Sequence, residues 1–256
     1  MIRTQAANRS EQCPGLLISV RDETEVETAI GGGADWIDFK EPHAGALGAV
    51  NFDLSLRMVH TVAGRLPISA ALGELVNWSG SAAQRLLSVP GIEVVKLGFA
   101  NCATLHNWQA MWQQVYQQAV DQGKQLCAVI YADWVCAESP EPAAILDLAV
   151  KTGARLLLID TWDKRRRSSL YYFSPQELKQ LINHACDCNL RTVLAGSLQH
   201  DDIPLAIQLK PDLLAVRGAA CRGLRTERLD QAAIRELKKA ITSASIANEN
   251  QTVSRL

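Results

Sequence analysis

The sequence predicts a single (β/α)8 barrel, and three observations lead there. Strand-length apolar runs alternate with helix-length amphipathic segments eight times. The alternation fills about 230 residues with no break in composition, which matches the size of such barrels. Charged side chains recur near the carboxyl ends of the apolar runs, where barrels of this class carry their chemistry. An open doubly wound sheet is the weaker alternative. It would want a Gly-x-Gly-x-x-Gly turn after the first strand, whereas Val20 is followed by Arg21-Asp22-Glu23-Thr24. The same absence removes a nicotinamide-dependent enzyme from consideration.

Taken in order, Leu16 to Val20 is the first strand, and Asp22 to Gly32 is an acid-capped helix ending in three consecutive glycines. The second strand is the run Trp36-Ile37-Asp38-Phe39-Lys40-Glu41-Pro42, and the site is organised around it. A period of two puts Trp36, Asp38 and Lys40 on one face and Ile37 and Phe39 on the other. If the apolar pair packs on covering helices, Asp38 and Lys40 point into the barrel, with Pro42 ending the strand just beyond the amine. An interior lysine is costly unless it is paired or used, so a buried Asp-Lys ion pair stands as the alternative to a reactive amine. The loop His43 to Ala49 is small and glycine-spaced, suited to close approach to a ligand or to itself.

A second helix follows from about Asp53 to Ala63, then a strand from Pro67 to Leu72, a helix over Ala82 to Ser88 and a strand from Glu93 to Leu97. The long fourth helix, Thr104 to Gln122, lines up Trp108, Met111, Trp112, Val115 and Ala119 on one face, as core or as a contact between subunits. Strands are expected at Gln125 to Tyr131, Leu156 to Asp160, Thr192 to Ala195 and Leu213 to Arg217, and helices at Pro142 to Lys151, after Ser174-Pro175, at Asp201 to Gln208 and at Thr226 to Ile241. The barrel then spans 14–241 of one domain. It is preceded by a polar N-terminal segment and followed by a polar, mobile tail from Thr242 to Leu256.

Composition narrows the function classes. The chain has 256 residues, 48% of them hydrophobic, and a formal net charge of −1, which argues against a nucleic-acid or anionic-membrane surface. No apolar stretch reaches membrane-spanning length and Met1 to Gln12 is polar, so a cytoplasmic protein is expected. Seven cysteines at irregular spacing read as reduced thiols. The His184-Ala185-Cys186-Asp187-Cys188 cluster ends a helix and reads as an ordinary helix terminus, leaving no metal site. The Trp108-Trp112 face is the candidate surface for a homo-oligomer.

Alternate strands of a barrel supply a common interior layer. Asp38 and Lys40 from strand two, Lys96 from strand four, Asp160 from strand six and Lys164 just beyond it therefore converge. Ammonium groups crowded into a partly dry site raise each other's cost of protonation, and an amine left neutral is a nucleophile towards a carbonyl. Asp38 and Asp160 would hold the remaining charge and relay protons, the division of labour that aldol and β-elimination chemistry needs. On the opposite rim, Ala195-Gly196-Ser197 and Arg217-Gly218-Ala219-Ala220 follow strands seven and eight, positions whose backbone amides often hold phosphate. The run Lys164-Arg165-Arg166-Arg167 is either a second phosphate clamp or a solvated basic turn.

These residues resemble a known family, the (5-formylfuran-3-yl)methyl phosphate synthases of the first furan-forming step towards methanofuran. The resemblance extends from Leu17-Ile18-Ser19-Val20 through Asp38-x-Lys40-x-Pro42, Gly45-Ala46-Leu47-Gly48, Lys96-Leu97-Gly98, Asp160-Thr161-x-x-Lys164 and Leu194-Ala195-Gly196-Ser197 to Val216-Arg217-Gly218-Ala219. It implies a lyase that condenses two molecules of glyceraldehyde 3-phosphate without metal or organic cofactor. In that family the lysine matching Lys40 forms a Schiff base, the lysine matching Lys96 accepts a proton, and the positions of Asp38, Asp160 and Lys164 belong to the same catalytic group. Ser19, Gly196, Ser197, Arg217, Gly218 and Ala219 are the expected substrate-binding residues. Glu41 stands where many relatives carry asparagine, and Arg165-Arg166 where Asp-Gly is frequent. A lysine-imine aldolase acting on another sugar phosphate, or an idle barrel that binds phosphorylated metabolites, are the alternatives.

Overall fold

A computed structural model describes residues 13–253, with side chains to residue 243. Eight parallel strands close into a barrel in sequence order: β1 Gly15–Val20, β2 Trp36–Phe39, β3 Ile68–Glu74, β4 Val94–Gly98, β5 Gln125–Tyr131, β6 Leu156–Asp160, β7 Arg191–Leu194 and β8 Leu213–Val216, with β8 pairing back onto β1. The helices are α1 Glu23–Gly32, α2 Phe52–Val62, α3 Trp108–Asp121, α4 Pro142–Thr152, α5 Ser169–Tyr172, α6 Pro175–Asp187, α7 Ile203–Gln208 and α8 Gln231–Val253.

The strands obey the expected period of two. Leu16, Ile18, Ile37, Phe39, Val95 and Leu97 face outward into the layer shared with the helices. Leu17, Trp36, Val94, Val129, Leu158 and Val193 fill the interior. Parallel register then fixes the neighbours of each inward polar residue. Asp38 lies opposite Ser19 on one side and Ser69 on the other, and Lys96 lies between Ala71 and Cys127, whose small side chains leave room for its stem.

Helix ends follow local chemistry. Asp22 caps α1 by accepting from the Glu25 amide at 2.9 Å, and Gly33 ends it at φ +95°. Ser174 and Glu177 close a reciprocal cap on α6, with Pro175 at its first position.

Two expectations are corrected and an open one is decided. Between β3 and β4 the Ala82–Ser88 segment is a 3-10 run rather than an α-helix. The final helix starts later, at Gln231, and continues past Ile241 to Val253. The aromatic face of α3 is core: Trp112 is fully buried between Phe99 and Tyr116, at ring distances of 6.1 and 5.5 Å, and Trp108 packs edge-on against Phe99 at 5.3 Å. Of the two readings of that face, core is the one the packing shows. Met1 to Gln12 and the last three residues of the tail lie outside the described residues. No helix among the described residues is long and apolar enough to cross a membrane.

Candidate active site

The interior polar residues meet at the carboxyl end of the barrel, around a cavity of about 690 Å³. Although β2 ends at Phe39, the Lys40 amide still donates to the Val20 carbonyl at 2.9 Å, which keeps Lys40 in strand register with its side chain inward. Pro42 then opens a short 3-10 turn. Glu41 caps that turn by accepting from the His43 amide at 2.8 Å, a role asparagine also performs, so the departure at this position keeps the local fold. The glycine-spaced loop approaches itself. The Glu41 amide donates to the Gly48 carbonyl at 2.8 Å, and a Cβ at Gly48 would collide with the Glu41 carbonyl.

Two carboxylates organise the amines. Asp38, 1% exposed, accepts from Ser19 Oγ at 3.0 Å and Ser69 Oγ at 2.8 Å, and its Oδ1 lies 2.6 Å from Lys96 Nζ. Ser19 therefore serves to orient Asp38, while also lining the cavity. Asp160, 2% exposed, sits between two other amines: Lys40 Nζ is 3.5 Å from Oδ2, and Lys164 Nζ donates to Oδ1. The Thr161 amide, 2.8 Å from Oδ1, fixes the carboxylate further.

Burial and charge act on these groups in definite directions. Burial depresses the pKa of Lys40, assisted by the Lys96 and Arg225 cations and opposed by Asp160 and Asp38. Burial likewise lowers that of Lys164, to about 8, with Asp160 opposing and Lys40 assisting. Burial alone would raise that of Asp160, but the Lys164 and Lys40 ammoniums outweigh it and hold the carboxyl well below its ordinary range. The site thus keeps its carboxylate ionised while easing protons off its amines, which suits proton transfer and nucleophilic attack near neutral pH.

The opposite rim is shaped by backbone strain. Gly196 has φ +94° and Ser197 φ +53°, and a Cβ at Gly196 would lie 3.0 Å from the Thr161 nitrogen and 2.9 Å from Ser169 Cβ. Ser169 fastens this loop to the β6 side by donating from Oγ to the Ala195 carbonyl at 2.6 Å and from its amide to the Gly196 carbonyl at 2.9 Å. Gly196, Ser197 and Gly218 all line the cavity, and their amides donate to no protein acceptor among the described residues.

Two expected binding residues are placed differently. Ala219 is buried in the outer core and does not line the cavity. Arg217 lines the cavity, but all five of its N–H groups have protein acceptors. It forms a double salt bridge to Glu25 of α1, at 2.7 and 3.1 Å, and donates to the Ser19, Arg225 and Glu227 carbonyls at 2.9, 2.7 and 3.1 Å. It holds the loop after β8 rather than a ligand. The basic run also divides. Lys164 and Arg165 line the cavity, Arg165 and Arg166 reach Asp163 at 3.2 and 3.1 Å, and Arg167 lies over the Tyr171 ring at 5.1 Å.

The sequence reading missed Arg225 and Glu74. Arg225 reaches the cavity from the far end of the loop after β8, and its nearest sequence signal is the turn glycine of Gly223-Leu224-Arg225. Glu74 lies beyond an irregularity in β3 at Gly73, φ +90°, where the expected strand had already ended. Its carboxyl accepts from Tyr131 Oη at 2.6 Å and the Ala100 amide at 3.0 Å, and burial raises its pKa.

Comparison with known proteins identifies relatives of the whole barrel. The family model of 4-HFC-P synthase matches residues 16–238. The (5-formylfuran-3-yl)methyl phosphate synthase of Methanosarcina barkeri is 33% identical over 227 residues, 87% of this chain and 97% of that protein. The synthase of Methanocaldococcus jannaschii is 29% identical over 231 residues, 88% of this chain and 98% of that one. Among solved structures, KGPDC from Streptococcus mutans covers 91% of this chain and 99% of its own at a TM-score of 0.59 and 13% identity. The 3-hexulose-6-phosphate synthase of Salmonella typhimurium does so over 90% and 99% at 0.59 and 16%, and at these identities both share the fold alone. The closed barrel and the family match over most of its length together place the chain in the (5-formylfuran-3-yl)methyl phosphate synthase family of enzymes.

Proposed function

We propose that the protein condenses two molecules of glyceraldehyde 3-phosphate into (5-formylfuran-3-yl)methyl phosphate, a step towards methanofuran or an analogue, through an imine on Lys40. The balance is one phosphate and two waters lost. The observation that carries the mechanism is the position of Lys40 Nζ: buried at the barrel mouth, 3.5 Å from an ionised Asp160, with its pKa depressed.

A neutral Lys40 amine attacks the aldehyde of the first molecule and water leaves as the imine forms. The iminium is an electron sink. It stabilises the carbanion equivalent formed when the C2 proton is removed, and allows phosphate to depart from C3. Proton transfer moves the second molecule's carbonyl from C1 to C2, the enol carbon C3 left by the elimination bonds to that C2, and the second molecule's C1 hydroxyl closes onto the first molecule's C2 carbonyl. Loss of two waters forms the furan, and hydrolysis of the imine frees the formyl group and the Lys40 amine. Lys96, held by Asp38, is the base for proton removal, as the family resemblance implies, and Asp160 with Lys164 moves protons to departing oxygens. The amides of Gly196, Ser197 and Gly218 receive a substrate phosphate.

Incubation of the pure protein with glyceraldehyde 3-phosphate alone tests this reading. A furan chromophore and one equivalent of inorganic phosphate are expected. An ordinary aldol product would assign a plain lysine-imine aldolase instead, and unchanged substrate would leave a binding barrel.

A further inference from the structure

The amines of the cavity are each matched to a carboxylate, Lys96 to Asp38 and both Lys40 and Lys164 to Asp160. Arg225 is the exception. Its side chain lines the same cavity and is half-buried, yet among the described residues it forms no salt bridge, donates one hydrogen bond, from Nη1 to the Pro42 carbonyl at 2.9 Å, and leaves its other N–H groups without an acceptor, while Asp160 and Glu41 act on its charge from beyond ion-pair distance. A guanidinium partly removed from water with most of its donors unused is poised for an external anion.

The surrounding loop is built to hold it there. The loop after β8 folds back on itself through a bridge between Cys221 and Leu229. Arg217 grips this loop at the carbonyls of Arg225 and Glu227, and Arg21 grips it at the Thr226 carbonyl at 2.6 Å. The Cβ of Arg225 lies beside Gly218 at the end of β8, while its guanidinium reaches Pro42 beyond β2, so the side chain crosses the barrel mouth above β1. Its charge also reaches the buried amines, lowering the pKa of both Lys40 and Lys164.

We propose that Arg225 binds a phosphate group of the substrate, its guanidinium forming an anion position on the β2 side of the mouth, across β1 from the Gly218 amide. The inference rests on the reading that the substrate is phosphorylated. It gives the cavity two separate anion positions, one of backbone amides and one of a guanidinium, as a reaction that joins two phosphorylated molecules requires. It also explains the fully committed Arg217: one arginine fixes the loop so that the other stays open to the ligand.

The test uses inorganic phosphate as probe and two variants. Arg225→Gln retains a donor for the Pro42 carbonyl but removes the charge, and Arg225→Lys retains the charge. Calorimetric titration of the wild-type protein with inorganic phosphate should show binding that weakens about tenfold or more in Arg225→Gln and largely returns in Arg225→Lys. The KM for glyceraldehyde 3-phosphate should rise in parallel in the Gln variant, with kcat changed less. Wild-type affinity in Arg225→Gln, or no phosphate binding by the wild-type protein, would overturn the proposal. Because phosphate binding is read without turnover, failure here is separable from failure of the furan assignment, which product analysis reads alone.

Discussion

Asp160 is the residue on which the amines depend, because one buried carboxylate faces both Lys40 and Lys164. A shared counterion holds the two amines in the cavity without fully restoring either to an ordinary lysine. Lys164 supplies a stability test. Its folded pKa of about 8 lies below the ordinary lysine value of 10.5, so between those values the unfolded chain binds more protons and stability rises with pH. Below that window the full cost of the buried charge is present, and above it the cost is gone. Lys164→Met removes this titration. Urea unfolding at pH 7.5 and 10 should show the wild-type protein gaining on the variant at the higher pH; a constant difference would mean that Lys164 titrates as an ordinary surface amine. Turnover of Lys164→Met should fall steeply with the fold retained, and wild-type turnover would reduce this lysine to a structural charge.

At the scale of elements, the site is a matter of how strands end. The inward set Asp38, Lys40, Lys96 and Asp160 was legible because a two-residue period and the alternate-strand rule need only local sequence. Loop-borne chemistry was not. Arg217 looked available to a ligand because its partner Glu25 lies 192 residues away, and nothing in the local sequence reports that contact. Arg225 was hidden for the same reason, since its position depends on Arg217 gripping the loop, and Glu74 was hidden by the irregularity at Gly73. The 3-10 run over Ala82–Ser88 was read as an α-helix because seven residues are too few for periodicity to separate the two. The strained β7 loop gives a direct prediction. Gly196→Ala puts a Cβ against backbone at positive φ, so it should cost about 1–3 kcal/mol of stability and raise KM about tenfold by moving the amides. Thermal unfolding and saturation kinetics check both; unchanged saturation would remove this loop from the binding site.

For the whole molecule, charge is placed rather than accumulated. The chain carries a formal net charge of −1, yet Lys40, Lys96, Lys164, Arg165, Arg217 and Arg225 line one cavity, and the carboxylates in its described lining are Asp38 and Asp160. Low-dielectric walls focus such a field towards an anionic substrate. The KM for the phosphorylated substrate should accordingly rise several-fold between low ionic strength and about 0.5 M potassium chloride, as screening shortens to a few ångströms. A salt-independent KM would contradict electrostatic capture. All of this serves one claim, that the Lys40 amine forms the covalent bond to substrate. Borohydride reduction in the presence of glyceraldehyde 3-phosphate, followed by peptide mapping, tests it most directly. The account predicts a substrate fragment fixed on Lys40 and no adduct in a folded, inactive Lys40→Arg variant; an adduct on Lys96 or Lys164, or an active arginine variant, would contradict it.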